Sequence, residues 1–212
     1  MSLKKIAVLV SGGGTNFQSI IDKIHQQSGE IVLVISNNQR AYGLERGKNA
    51  GIKALYLDPS QYPDQEAYDQ ELINILRKYD VDLVVLAGYM KIVSSVFVKA
   101  YENAIINVHP ALIPSFCGKG FYGMHVHQAV IEYGVKITGA TVHFVNEVAD
   151  GGPIILQKAI NVTDNDTPET IQKKVLVLEH ELLPKAIKYF CENRLTISGR
   201  TVKLRGEKLI NK

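Results

Sequence analysis

An α/β fold, single-domain and Rossmann-like, with a doubly wound, mostly parallel sheet and an antiparallel extension in the C-terminal half, is predicted by three features of the sequence. Short apolar runs alternate with amphipathic stretches through the first half. The central runs are apolar without alternation, as strands covered on both faces are. After VIEYG the pattern changes to an alternating one.

The elements follow in order. KIAVLV (5–10) reads as the first strand, and NFQSIIDKIHQQ after it carries Phe17, Ile20, Ile21 and Ile24 at helical spacing. EIVLVIS (30–36) is the second strand, a helix is expected near 43–50, and KALYL (53–57) is the third strand. DQEAYDQELINILRKYD places Ala67, Leu72, Ile75, Leu76 and Tyr79 at helical spacing, and VDLVVLAG returns as the fourth strand. A short helix over 94–100 leads into a fifth strand at NAIINV (103–108). VKITGATVHFVN then alternates, with Ile137, Gly139, Thr141, His143 and Val145 on one face, and GGPIILQKAINV follows as a further strand. A long helix opens at DTPET, where Asp166 or Thr167 can cap and Pro168 can occupy the first turn. Its apolar stripe is Ile171, Val175, Leu178 and Leu182, and Pro184 is expected to kink or end it. The tail, LTISGRTVKLRGEKLINK, reads as a hairpin or a frayed terminus. No linker, repeat or low-complexity run divides the chain, so one domain is expected over 1–212.

Composition narrows the function classes. With 24 lysines and arginines against 21 aspartates and glutamates, the net charge of +3 is too small to argue for nucleic acid, while a small anionic ligand is compatible with it. Cys117 and Cys191 show no metal-ligand spacing and read as free thiols in a reducing compartment. The first apolar run ends in glycines, too short for a signal peptide, and no later run approaches the ~18 apolar residues of a membrane span. A cytoplasmic protein is therefore expected.

Three stretches can carry chemistry. SGGGTN (11–16) joins the first strand to its helix. Its glycines let the backbone turn close to a ligand, and the helix start offers unpaired N–H groups to an anion; the other reading is a tight structural turn. The spacing fits neither a P-loop nor the dinucleotide fingerprint, which would need a glycine where Asn16 stands. In NVHPALIPSF, Asn107 and His109 are two apart at the end of a strand, so both side chains face one volume. An amide and an imidazole there can hold a developing oxyanion, or can simply tie down the turn before Pro110. Asp150 in VADGGPII sits on a turn, and beside His109 its carboxylate would raise the imidazole's pKa. The other histidines read more plainly: His125 and His127 as residues of an exposed helix whose side chains diverge, His143 as a hydrogen-bonded sheet residue. Ser115 lacks the nucleophile elbow of a serine hydrolase.

Together, VSGGGTNFQSII, AYGLERGKNAGI, AYDQELI, VDLVVLAGYMKIVSSVFV, NVHPALIPSF, GATVHFVNEVADGGPIILQ and LEHELLP, in that order, resemble the folate-dependent formyltransferases. The closest likeness is to the branch acting on glycinamide ribonucleotide in purine synthesis. The resemblance implies a metal-free transfer of the formyl group of 10-formyltetrahydrofolate, as co-substrate, to the ribonucleotide's amine through a tetrahedral intermediate. The family's catalytic residues fall on Asn107, His109 and Asp150. Its ribonucleotide contacts fall on Gly14, Thr15, Asn16 and Glu179; the insert-like run CGKGFYGMHVH has no assigned counterpart in the family, and Lys119 and Gly120 near its Gly-rich turn are further candidates. Its folate contacts fall on Met90, Lys91, Ile92, Val93 and Asn107, and on the loop of Asn146, Glu147, Val148, Ala149 and Asp150. Gln65 stands where the family often has an arginine for the folate tail. A nucleotide-binding half at about 1–100, a catalytic and folate half at about 101–190 and a tail at 191–212 follow from the same likeness.

The implied partners are the two small substrates, with neither nucleic acid nor membrane, in a monomer or homodimer. A hydrolase releasing formate from the same folate is the rival within the family, and usually carries an added N-terminal regulatory domain. A nucleotide-binding regulator without catalysis would use the same glycine loop and sheet, but has no need of Asn107, His109 and Asp150 together.

Overall fold

The computed structural model describes residues 2–206. The chain alternates β1 (Lys4–Val10), α1 (Thr15–Ile24), β2 (Gly29–Ser36), α2 (Tyr42–Asn49), β3 (Lys53–Tyr56), α3 (Gln65–Lys78), β4 (Leu83–Leu86), α4 (Ser95–Ala100) and β5 (Ile105–His109). It continues through α5 (Met124–Tyr133), β6 (Ile137–Phe144), β7 (Ile154–Asn161), α6 (Pro168–Cys191), β8 (Leu195–Ser198) and β9 (Thr201–Leu204). Among the described residues the nine strands form one sheet in the order β3-β2-β1-β4-β5-β6-β7-β9-β8. Pairing is parallel from β3 to β5 and antiparallel from β5 through β6 to β7, where the period-two pattern begins.

Each face of the sheet is covered by its own helices, which is why the central strands read as unbroken apolar runs. Along β1, Ile6, Val8 and Val10 pack with Phe17, Ile20 and Ile24 of α1 and with Ile171, Val175 and Leu182 of α6. The alternate residues Ala7 and Leu9 pack on the opposite side with Tyr68, Leu72 and Leu76 of α3 and Phe97 of α4. Strand order reverses between β1 and β4, so the chain diverges there and leaves a crevice at the carboxyl ends of the strands. SGGGTN, the Gly88–Val93 segment and Asn107 to His109 all emerge at that edge.

Several expectations are corrected. Strand five starts two residues later than expected because Asn103 takes a left-handed turn (φ 57°), and it runs on to include His109. Pro184 neither ends nor breaks α6. Proline has no N–H to give the carbonyl four residues before it, and Lys23 Nζ from α1 donates to that His180 carbonyl instead, at 2.7 Å. The buried stripe of Leu183, Ala186 and Ile187 carries the helix onward. Of the two candidate caps, Thr167 forms a reciprocal capping box with Thr170, while Asp166 bonds Thr163 and Lys174. α5 is not an exposed helix, since Val126, His127 and Val130 are buried on the side that packs against α6. The tail forms the β8–β9 hairpin at the sheet edge; its last residues, 207–212, lie outside the described residues.

Candidate active site

A cleft of about 650 Å³ opens at the crevice and is floored by the ends of β4 and β5. Asn107 and His109 both border it, and the burial of the intervening Val108 on the sheet's other side follows from strand alternation. His109 is 4% exposed. Its Nε2–H donates to the Phe116 carbonyl at 2.8 Å, and its Nδ1 lies 3.6 Å from Asp150 Oδ2. Both ring nitrogens thus face oxygen acceptors, an arrangement suited to an imidazolium.

Asp150 reaches this position through a self-tied loop. Val148 N–H donates to Asn146 Oδ1 at 3.1 Å and Gly151 N–H to the Val148 carbonyl at 2.8 Å, while Asp150 itself is left-handed at φ 52°. Gly152 is required for the return into β7, because a Cβ there would stand 1.7 Å from the Phe144 carbonyl oxygen. The Gly118 N–H then donates to Asp150 Oδ2 at 2.8 Å. The backbone of 116–118 therefore holds both members of the pair, a carbonyl on the imidazole and an amide on the carboxylate.

A fourth side chain completes the group. β5 and β6 pair Asn107 directly with His143, which is 1% exposed. His143 Nδ1–H donates to the Phe144 carbonyl at 2.8 Å, so in the neutral ring Nε2 is the acceptor and takes a bond from Asn107 Nδ2 at 3.2 Å. That same Nε2 is 3.6 Å from Asp150 Oδ1. His143 was expected to be only a sheet residue. It is hydrogen-bonded within the sheet and also borders the cleft. The alternating face of VKITGATVHFVN carried a signal for it, but the strand it would pair with was not readable.

Electrostatics modifies one expectation. Burial pushes the His109 pKa below its ordinary value, although Asp150 and the Phe116 carbonyl push it up. The carboxylate acts in the expected direction, and desolvation outweighs it. For Asp150, burial pushes upward, yet the neighbouring His143 and His109 rings and the Gly118 N–H together hold its pKa below the usual range.

The remaining predicted residues divide between the cleft and its surroundings. Thr15, Asn16 and Glu179 border it, and Asn16 Nδ2 donates to Glu179 Oε2 at 2.5 Å. Glu179 is 8% exposed, and burial, partly opposed by that bond, pushes its pKa up to about 7. Gly14 is off the wall; it begins α1 at φ 69°, with space for a Cβ closed by Gly43 Cα at 2.8 Å. Met90, Lys91, Ile92 and Val93 all border the cleft, as do Asn146, Glu147 and Ala149. Val148 does not, because the turn that aims Asp150 inward turns it out, 65% exposed. Gln65 is also off the wall: its amide donates to the buried Asp69 at 2.8 Å, and its Oε1 accepts from Lys91 Nζ at 2.8 Å. Lys119 and Gly120 line the cleft. Ser11 is a residue the sequence reading passed over. Its hydroxyl donates to Asn37 Oδ1 at 2.7 Å and accepts from Met90 N–H at 2.8 Å, tying three strand ends together.

The formyl transferase family model matches residues 4–187. A chloroplastic phosphoribosylglycinamide formyltransferase from Arabidopsis thaliana is 44% identical over 195 residues, covering 91% of this chain and 67% of that protein. The Vigna unguiculata counterpart is 39% identical, and the match covers 62% of its length. The phosphoribosylglycinamide formyltransferase of Escherichia coli strain K12 is 40% identical over 206 residues, covering 96% of this chain and 95% of that one. The chain thus spans about two thirds of the plant relatives and nearly all of the bacterial one. Among solved structures, glycinamide ribonucleotide transformylase 1 from Symbiobacterium toebii superposes with a TM-score of 0.90 at 44% identity, over 95% of this chain and 94% of that one.

Proposed function

The chain belongs to the formyl transferase family, and from that premise we infer that it moves the formyl group of 10-formyltetrahydrofolate onto the amine of glycinamide ribonucleotide. The observation that carries this reading is the convergence of Asp150, remote in sequence, with Asn107 and His109 on one cleft, with the His109–Asp150 approach at 3.6 Å.

The residues present suit both substrates. Met90, Ile92 and Val93, with Ala149 of the Asn146–Asp150 loop, offer apolar side chains on segments that also carry backbone polar groups, which suits a flat heterocycle read at its edge. On the other side, Thr15 and Asn16 at the start of α1 suit a phosphate, and Glu179 suits ribose hydroxyls. Holding both substrates in one cleft removes much of the entropic cost of their encounter.

As the amine adds to the formyl carbon, negative charge grows on the formyl oxygen. Asn107 spends one N–H on His143 and keeps the second for that oxygen. His109 supplies positive charge. Burial pushes its pKa down, and a growing oxyanion pushes it back up because negative charge nearby favours the charged ring. Asp150 supports the imidazolium and accepts the surplus proton of the amine, directly or through water; the folate nitrogen is protonated in turn, and collapse of the tetrahedral species breaks its bond to the formyl carbon and releases it as the second product.

The test is to incubate the protein with both substrates and follow loss of the folate's formyl group together with appearance of the formylated ribonucleotide. Turnover is expected only when both are present. Consumption of the formylfolate without the ribonucleotide would replace this reading with the hydrolase.

A further inference from the structure

Of the two histidines in MHVHQAV, His125 packs its ring edge-on against Tyr122, with centroids 4.9 Å apart, and is exposed. His127 is 2% exposed, yet it borders the cleft beside His109 and faces it from the α5 side. Its Nδ1 is sealed from solvent with no hydrogen-bond partner among the described residues. Buried polar atoms without partners are rare in folded proteins, and each calls for an explanation. Only four such side-chain atoms occur among the described residues, and two of them, His127 Nδ1 and Asn16 Oδ1, belong to residues of this cleft wall. Both lie on the side formed by α1, α5 and α6, where Glu179 and Gln172 also line the wall.

We propose that His127 is a substrate-binding residue: a neutral imidazole that donates its Nε2–H to an uncharged oxygen of the amine-bearing substrate, next to the reacting amine. The proposal rests on the function inferred above. A neutral imidazole carries one N–H. Placing it on the sealed Nδ1 would bury a donor with no acceptor, so it belongs on Nε2, the nitrogen on the edge left to the cleft. Burial, with His109 nearby, pushes the ring's pKa down to about 4, so the ring stays uncharged across the working pH range. An uncharged donor suits a carbonyl or hydroxyl oxygen and competes neither with His109 for the oxyanion nor with Asp150 for the proton.

His127→Leu removes the donor and His127→Gln restores one at nearly the same reach. The Leu variant is expected to raise the KM for glycinamide ribonucleotide about tenfold, the worth of one hydrogen bond, with the formylfolate KM unchanged. The Gln variant is expected to recover most of that loss, and both keep the wild-type pH profile. Equal losses in both variants, a shifted pH profile, or a change confined to the formylfolate KM would overturn the assignment. Should the Leu variant not fold, nitrogen-15 NMR of the wild-type protein decides. The His127 signals, identified by their loss in His127→Gln, should show a neutral Nε2–H ring at pH 7 that responds to the ribonucleotide and not to folate. No response to the ribonucleotide overturns it. Wild-type turnover is measured alongside: if it is absent the inferred function fails, and if it is present with indifferent His127 variants only this proposal fails.

Discussion

At the scale of single residues, the site is a balance between burial and pairing, and that balance sets two predictions. His109 already titrates below its ordinary value, and Asp150 is the main group opposing that. Asp150→Asn removes the upward push, so the His109 pKa falls further. If the charged ring is the working form, the loss of rate on the alkaline side begins at lower pH. Turnover is expected to fall by two or more orders of magnitude, about 3 kcal/mol of transition-state stabilisation. A kcat profile against pH checks both, and a wild-type rate with an unmoved profile would remove Asp150 from the mechanism. Glu179 gives the second. Its folded pKa of about 7 stands above the ordinary 4.5. The stability tied to the protonated form is therefore complete below the ordinary value and lost as pH rises through about 7, an amount of up to about 3 kcal/mol. Glu179→Gln cannot ionise and keeps an acceptor for Asn16. Urea unfolding at pH 5 and pH 8 should show the variant gaining on the wild type at the higher pH, while its ribonucleotide affinity drops. A stability difference that is the same at both pH values would refute the buried ionisation.

At the scale of elements, the loop between β1 and α1 is placed by contacts to α2. Gly14 is left-handed at φ 69°, and Gly43 N–H donates to the Gly12 carbonyl at 3.0 Å. Gly14→Ala adds a Cβ at 2.8 Å from the Gly43 Cα, on top of the roughly 1 kcal/mol that a left-handed alanine costs. The loop and the start of α1 must shift. The ribonucleotide KM is expected to rise several-fold, with the formylfolate KM unchanged and a lower thermal midpoint. A change in the formylfolate KM alone would contradict the assignment of this loop to phosphate. Pro184 teaches a different lesson. A proline stops a helix when its orphaned carbonyl finds no donor, and here Lys23 supplies one from another helix. The sequence stripe past Pro184 was real, but its continuation depended on a partner more than a hundred residues away in the chain.

For the whole molecule, the proposed nucleotide-binding and catalytic halves share one sheet. β4 pairs with β5 through Val84 with Ile105 and Val85 with Ile106, and α1 of the first half packs with α6 of the second in one core. Neither half closes a core without the other. Calorimetry is therefore expected to show a single transition with equal calorimetric and van't Hoff enthalpies. Two resolved transitions would mean that the halves are independent units.

Local pattern determined much of this protein. Period two and period 3.6 mark most of the elements, the glycines mark the β1–α1 loop, and alternation alone puts Asn107 and His109 on one side of a strand, because each depends only on near neighbours in the chain. Tertiary structure decided the rest. It put Asp150 against His109, set His143 across the sheet from Asn107, buried His127 and turned Val148 and Gln65 away from the cleft. It also let desolvation outweigh Asp150 in setting the charge of His109. Those outcomes depend on strand pairing and on the loss of water around a group, and both are sums over segments far apart in the chain.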